Sequence, residues 1–233
     1  MTAVKGQRRG GKNIGVAARV WEEELVIPTY QVGAAARNPD LFRDGWRCIY
    51  PYTLRDNLLH RRRDVTYRAV YLENEYLRVV VLPELGGHIY SAHDKISGEE
   101  MFYLNHVIKP GRILLRGSWA AFGLEFNFPR GHSVTTLSPV DYRLLERPDG
   151  SVAVAVGDCE QTSRMRWTVL ISLRPGARRL EVTTRLTNRT ELPHRYYFWA
   201  NAAVPANEHL QFLSPAGPPA AGVRTSPSPT RTG

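Results

Sequence analysis

Apolar and polar residues alternate along most of the chain with a period of two, which is the pattern of β-strands. Residues 166–173 and 179–187 each place apolar side chains on one face and polar side chains on the other, which predicts half-buried antiparallel strands. Residues 76–82 are apolar on nearly both faces, as is typical of a central strand covered on both sides. No segment of useful length has apolar residues at helical spacing, and residues 38–43 and 53–59 are the two candidate positions for a short helix.

Short turn sequences separate the predicted strands. Residues 148–150 (Pro-Asp-Gly) lie between the strand patterns of residues 142–145 and 152–156, which predicts a hairpin. Residues 83–87 (Pro-Glu-Leu-Gly-Gly) end the central strand before the next one begins. Many short strands joined by turns indicate an all-β fold, a sandwich or barrel of antiparallel strands.

Composition divides the chain into three zones. Residues 1–18 are rich in glycine and basic residues with little apolar content, so we expect a disordered basic arm. Residues 19–213 carry the strand pattern and are expected to form one β-sandwich domain. Residues 214–233 hold five prolines, three glycines and no aromatic residue, and we expect them to form a disordered tail.

The net charge of +9 would suggest nucleic-acid binding if it were spread over the fold, but it is concentrated at the two ends. Residues 1–20 contribute +5 and residues 214–233 contribute +2, while residues 21–213 hold 24 basic and 22 acidic residues. We therefore expect no nucleic-acid partner.

No run approaches the roughly eighteen apolar residues of a membrane span, and the first thirty residues or so lack the apolar core of a secretory signal. We expect no membrane association and a cytoplasmic location.

Residues 121–132 (Ala-Phe-Gly-Leu-Glu-Phe-Asn-Phe-Pro-Arg-Gly-His) contain the highest density of side chains that could bind a ligand or take part in catalysis. Strand alternation sends the four apolar side chains from Phe122 to Phe128 to one face and sends Glu125 and Asn127 to the other. A carboxylate and an amide are therefore expected on one strand face, opposite an aromatic wall.

This predicted strand leads directly into a loop that bears Arg130 and His132. A carboxylate, an amide, a cation and an imidazole are the groups that recognise a hydroxyl-rich ligand, so we expect a ligand site here. The alternative is an exposed sheet face on which Glu125 and Arg130 form an ordinary surface ion pair.

A second candidate segment is residues 195–204, in which Trp199 and Asn201 share a strand face. Aromatic rings beside an amide suit sugars, because the apolar face of a sugar stacks on a ring while fixed polar groups hold its hydroxyls. Arg116 and Trp119 are expected to add a loop wall to the same site. The alternative for each of these side chains is simple packing in an aromatic core.

Metal and cofactor motifs do not stand out in the sequence. His88 and His93 are five residues apart, so in a regular strand they point to opposite faces and cannot chelate one ion. The chain has no HExxH motif, Cys-x-x-Cys pair, glycine-rich phosphate loop or Gly-x-Ser-x-Gly elbow. We expect neither a metal nor a cofactor.

Several of these segments resemble known families. Residues 75–90 (Glu-Tyr-Leu-Arg-Val-Val-Val-Leu-Pro-Glu-Leu-Gly-Gly-His-Ile-Tyr), continuing to Tyr103, resemble the opening of the galactose mutarotase-like β-supersandwich, where a strand ends at Pro-x-x-Gly-Gly. Four further motifs resemble the bacterial domain family DUF5107, which often precedes tetratricopeptide repeats in longer chains. These motifs are Ile-Pro-Thr-Tyr at 27–30, Tyr-Pro-Tyr at 50–52, Gly-Leu-Glu-Phe-Asn-Phe-Pro-Arg-Gly-His at 123–132 and Tyr-Phe-Trp-Ala-Asn-Ala-Ala-Val at 197–204.

The resemblance covers residues 17–213 and implies an antiparallel β-supersandwich with a groove for a sugar or oligosaccharide. Such domains are longer than this chain, so we expect the fold to be incomplete at its C-terminus. In mutarotases and hexose-6-phosphate epimerases a histidine acts as general acid and a later glutamate acts as general base. The resemblance brings Asn201 near the place of that histidine, and no glutamate stands at the later place.

We therefore expect Glu125 and His132 to be the catalytic residues if the protein is an enzyme, with Glu125 as base or acid. His132 or Arg130 would then hold a sugar hydroxyl. The remaining predicted substrate-binding residues are Arg116, Trp119, Asn127, Trp199, Asn201 and His88.

The sequence is consistent with two classes of function. One is a carbohydrate-active enzyme of the epimerase, mutarotase or glycoside-hydrolase kind. The other is a non-catalytic module for sugar recognition or protein interaction within a larger tetratricopeptide-repeat protein. Nucleic-acid binding is the weakest hypothesis, because no recognition motif accompanies the terminal charge.

Overall fold

The computed structural model describes residues 17–113, 115–208 and 210–211, apart from the side chain of Trp46. All but the last two residues of the predicted arm, and the whole predicted tail, lie outside the described residues. The described part contains strands and two 3₁₀ turns, at Gly45–Arg47 and Pro83–Leu85. The strands are β1 (Arg19–Val32), β2 (Leu58–Glu73), β3 (Leu77–Leu82), β4 (His88–Asp94), β5 (Glu99–Glu100), β6 (Gly111–Ile113), β7 (Gly117–Trp119), β8 (Leu124–Asn127), β9 (Asp141–Glu146), β10 (Val152–Cys159), β11 (Arg166–Leu173), β12 (Glu181–Thr187) and β13 (Trp199–Ala202).

The strands form two main antiparallel sheets. The larger has the order β1-β2-β3-β4-β8-β13, with β5 also pairing with β4, and the smaller has the order β12-β11-β10-β9. Strands β6 and β7 form a separate two-stranded hairpin. The predicted all-β antiparallel fold is confirmed, including the hairpin between β9 and β10 around the Pro-Asp-Gly turn.

The two main sheets pack face to face around one hydrophobic core. Valines and phenylalanines of the larger sheet contact the inward side chains of β10 and β11, and the buried indole of Trp167 lies among them. Every second residue of β11 from Trp167 to Leu173 is buried, as the alternation predicts. The arrangement is a β-sandwich.

The larger sheet is also covered on its other face. Val79 and Val81 of β3 point into the core between the sheets, while Val80 and Leu82 point into a second cluster formed with connecting segments. Burial on both faces explains why residues 76–82 are apolar at nearly every position. The candidate site lies on this second face.

The structure corrects the predicted short helices and one predicted face. Neither residues 38–43 nor residues 53–59 are helical, and the short turn nearby is the 3₁₀ turn Gly45–Arg47. This agrees with the lack of apolar residues at helical spacing in both segments. Val182 was expected inside, but it is 40% exposed because β12 is an edge strand of the smaller sheet.

Candidate functional site

Three neighbouring strands of the larger sheet, β4, β8 and β13, carry five of the nine predicted site residues: His88, Glu125, Asn127, Trp199 and Asn201. Strand β8 pairs with β4 at Leu124 and with β13 over four residues, so that Asn201 lies directly opposite Glu125 and Trp199 lies opposite Asn127. Because opposite residues of antiparallel strands share a face, Asn201 and Glu125 point to the same side of the sheet. The two candidate segments, 76 residues apart at this pair, therefore form one site.

A kink at Gly123 changes the predicted aromatic wall. Phe126 and Phe128 pack in the core between the sheets, as expected, but Phe122 packs on the opposite face, against the ring of His88. Gly123 has a φ of +52°, and a Cβ there would collide with the carbonyl oxygen of Ile89. This left-handed residue breaks the alternation just before β8 begins.

Glu125 is the centre of the site. Its side chain is buried, with only 2% of the residue exposed, and donors surround its two carboxylate oxygens. The donors are Thr136 Oγ1 at 2.7 Å, His132 Nδ1 at 3.0 Å, Trp119 Nε1 at 3.1 Å and Asn201 Nδ2 at 3.3 Å. The surface ion pair with Arg130 is therefore the wrong alternative for Glu125.

These partners keep Glu125 ionised despite its burial. Burial raises the pKa of the Glu125 carboxyl, but the charge that His88 acquires at low pH, where both groups titrate, and the hydrogen bond from Thr136 outweigh it. The pKa of Glu125 therefore lies below its usual value. Several hydrogen-bond donors thus stabilise the ionised form of this buried carboxylate and fix its position on one face of the larger sheet.

His88 is fully buried behind Thr136. Burial lowers the pKa of His88 to about 4, against the attraction of Glu125, so the imidazole is neutral at pH 7. The Thr136 hydroxyl donates its one hydrogen to Glu125, so its oxygen accepts from His88 Nε2, at 3.1 Å. His88 thus orients Thr136 and is not among the residues that line the cleft beside Glu125.

His132 packs between two tryptophan rings. Its ring lies 5.3 Å from the Trp119 ring and 5.0 Å from the Trp199 ring, measured between centroids, while its Nδ1 points at Glu125. Its side chain is 19% exposed, whereas that of Glu125 is 3% exposed. The imidazole is therefore the more accessible member of a fixed Glu–His pair.

A cleft of about 300 Å³ opens beside Glu125. Its polar wall consists of Glu125 and Asn201, and one flank is the indole of Trp119. The remaining lining residues are small or apolar: Ala120, Ala121, Phe122, Ala202, Ala203 and Val204. A polar wall beside an aromatic ring suits a small ligand that has both hydroxyl groups and C–H faces.

The two predicted arginines have structural partners. Arg130 donates to the carbonyl oxygens of Gly45 and Cys48, at 3.0 and 3.1 Å. Arg116 donates to carbonyl oxygens of Thr53 and Val134. Both side chains hold connecting segments in place around the site, and neither contacts Glu125 among these hydrogen bonds.

Asn127 and Trp199 complete the predicted set. Asn127 Oδ1 accepts the backbone N–H of Ser133 at 2.8 Å and so fixes the loop that follows β8. Its Nδ2, the Trp199 Nε1 and the His88 Nδ1 are buried atoms without a hydrogen-bond partner within the described residues. Buried polar atoms usually have a hydrogen-bond partner, so each of these three is a position at which a water or a ligand group could bind.

Thr136 is the site residue that the sequence reasoning missed. It lies in the loop between β8 and β9, where no periodicity shows which side chains point inward. No sequence signal distinguishes it from Thr135 beside it.

The described residues contain no group of three potential metal ligands that lie together. They also contain no helix with the length and apolar character that a membrane span needs.

Comparison with known proteins places the chain in a family. The family DUF5107, described as a domain of unknown function, matches residues 45–227. The structure is also similar to the crystal structure of a TPR-domain containing protein from Parabacteroides distasonis, with a TM-score of 0.75 and 29% sequence identity. The match covers 83% of this chain and 33% of that chain, so this chain spans about a third of the length of the TPR-domain protein. Since the family match extends over most of the sequence, the chain belongs to the DUF5107 family.

Proposed function

We propose that the cleft beside Glu125 binds a sugar, and that the Glu125–His132 pair moves a proton on that sugar in a mutarotase- or epimerase-like reaction. The observation that carries the proposal is the buried, ionised Glu125, whose donors include the Trp119 indole and the Asn201 amide of the cleft lining and the His132 imidazole that packs against Trp119. Fixed polar groups and an aromatic face are what sugar recognition requires.

The roles within the pair follow from accessibility and hydrogen bonding. Glu125 accepts from His132 Nδ1, which fixes the tautomer and leaves Nε2 as the atom that can take up a proton. When Nε2 is protonated, the carboxylate stabilises the imidazolium, as the aspartate does in a catalytic triad. His132 is then the general acid or base and Glu125 is a positioning residue, the reverse of the assignment from sequence.

A glycoside hydrolase of the usual kind is less suited to this site. Hydrolysis with two carboxyl groups requires a second acid on the other side of the scissile bond. Glu125 is the one carboxylate among the described residues that line the cleft. Proton transfer by a single Glu–His pair fits the residues better.

A sugar panel with matched variants tests the proposal. Anomer exchange followed by proton NMR would detect turnover, and calorimetry would measure binding. We expect His132→Gln to lower the rate by about 10²-fold or more with binding changed much less, because general acid–base catalysis contributes that much. His60→Gln, a change at an exposed histidine of β2, is the control and should leave both unchanged.

The Glu125→Gln variant separates positioning from chemistry. It should lower the rate and also change its pH dependence, since the imidazolium loses its counter-charge. If both variants keep the native rate, the assignment of the pair is wrong. If no sugar of the panel binds, sugar recognition itself is refuted.

The second candidate is a non-catalytic recognition module of a longer protein. It is favoured by the likeness to a TPR-domain containing protein of which this chain covers one third. This candidate predicts sugar binding without any product, with binding lost on Trp119→Ala because the indole flanks the cleft.

A further inference from the structure

A second cavity, of about 470 Å³, lies beside the 3₁₀ turn Gly45–Arg47. Among the described residues, three arginines line it, Arg43, Arg47 and Arg112, together with one acid, Asp56. The other lining residues are Leu54, Ile113, Leu115 and Gly117. The described lining residues therefore hold three guanidinium groups and one carboxylate, while Asp40 pairs with Arg43 from outside the lining.

Arg43 and Arg112 each pair with an acid and still keep N–H donors for a ligand. Arg43 uses Nε for Asp40 and Nη1 for the carbonyl oxygen of Leu115. Arg112 uses Nη2 for Asp56, at 3.1 Å, and its side chain is 73% exposed. A guanidinium has five N–H donors, so these contacts orient both groups while leaving further N–H groups available.

The cavity and the proposed sugar cleft are both lined by residues of one short strand. Gly117 lines the cavity and Trp119 lines the cleft, and both belong to the three-residue strand β7. Two residues along a strand span about 7 Å, less than the length of a monosaccharide with a charged substituent. Arg130, two residues before His132, donates to carbonyl oxygens of Gly45 and Cys48, which ties the 3₁₀ turn to the loop of the catalytic pair.

We propose that this arginine-lined cavity is an anion subsite, and that the sugar bound beside Glu125 carries a carboxylate or phosphate group that occupies it. The inference rests on the proposed function and names its substrate class, an acidic sugar. Arg guanidinium groups bind carboxylate and phosphate oxygens through paired, charge-assisted hydrogen bonds. The ionised Glu125 repels an anion at the cleft itself, which favours an orientation with the acidic group in the cavity.

The test compares acidic sugars with their neutral parents. Galacturonate and glucuronate are measured against galactose and glucose, hexose 6-phosphates supply the phosphate arm, and inorganic phosphate and sulfate serve as free anions. One acidic form should bind at least about tenfold more tightly than its parent, as expected for hydrogen bonds to a charged group. The advantage should shrink between about 20 mM and about 500 mM NaCl, because partly exposed charges are screened.

Variants of opposite charge change assign the effect to the cavity. Arg112→Gln should remove most of the preference for the acidic sugar while leaving the neutral sugar unchanged, and Asp56→Asn should increase that preference. Arg185→Gln, which removes the same charge from an exposed position on β12, should have no effect. Thermal melting of each variant checks that the fold is retained.

The outcomes separate this inference from the proposed function. Equal binding of acidic and neutral sugars overturns the subsite and leaves the sugar cleft standing. A preference that Arg112→Gln and Asp56→Asn do not alter also overturns it. If no sugar binds but inorganic phosphate does, with the expected response to both variants, the cavity is an anion site and the proposed sugar function is the part that fails.

Discussion

Lowering the pH from 7 to 5 should destabilise the protein through His88. Carboxyl groups with ordinary pKa values remain largely ionised in this pH range. Burial lowers the pKa of this imidazole from 6.5 to about 4 in the folded chain. The unfolded chain therefore binds more protons between these two values, and stability falls as the pH falls from 6.5 towards 4. Above pH 6.5 the imidazole is neutral in both states and the full stability is present.

The magnitude follows from the two pKa values. The free energy of unfolding should decrease by about 2 kcal/mol between pH 7 and pH 5 and by about 3 kcal/mol by pH 4, from this group alone. Glu125 and His132 are the charged or titratable neighbours that act on His88, and they oppose each other, since the first raises its pKa and the second lowers it. A loss of 2 kcal/mol is a large part of the stability of a typical domain.

Urea denaturation followed by tryptophan fluorescence measures the effect at pH 7, 6 and 5. The His88→Gln variant lacks the titrating group, so its stability should vary less over this range by about 2 kcal/mol, whatever its stability at pH 7. His60→Gln, at an exposed position, should keep the native slope. Equal slopes for the native protein and His88→Gln would refute the reasoning.

Three further substitutions test the fold. Gly123→Ala forces a Cβ against the carbonyl oxygen of Ile89 at a φ of +52°, and should cost roughly 3 kcal/mol or more in urea unfolding, whereas Gly98→Ala, at a φ of +76° with open space around it, should cost about 1 kcal/mol. Trp167→Ala empties a site that is 2% exposed in the sandwich core and should cost about 3–5 kcal/mol; a smaller loss would mean that the core closes around the gap. Arg116→Lys should lower the melting temperature, because a lysine cannot bridge both of the carbonyl oxygens that Arg116 holds, and an unchanged melting temperature would contradict that role.

The strands could be predicted because their pattern is local. Residues 166–173 alternate along one strand, and residues 76–82 are apolar on both faces, so each segment contains the information about its own burial. The faces of Glu125 and Asn201 could be assigned in the same way. The pairing of β8 with β13 places these two residues opposite each other, and no local pattern of the sequence encodes that pairing.

The rest of the site depends on segments without periodicity. Thr136 lies in an irregular loop, and its contact with Glu125 is set by the path of that loop over the sheet. Arg130 donates to the carbonyl oxygens of Gly45 and Cys48, more than eighty residues earlier, which no local pattern of the sequence indicates. The predicted face of Phe122 was wrong, because the left-handed conformation of Gly123 breaks the strand alternation between Phe122 and β8.

Asn201 reaches Glu125 from the outermost strand of the larger sheet. Strand β13 pairs with β8 over four residues and has no second partner strand in the described part of the chain. Short edge strands open locally at a lower free energy than central ones, and every such opening takes Asn201 and three neighbouring cleft residues away from the carboxylate. A ligand in the cleft bridges β8 and β13, so its binding energy adds directly to the cost of opening. The backbone amides of β13 should therefore exchange hydrogen more slowly in the ligand-bound protein than in the free protein, and this difference would report occupancy of the cleft.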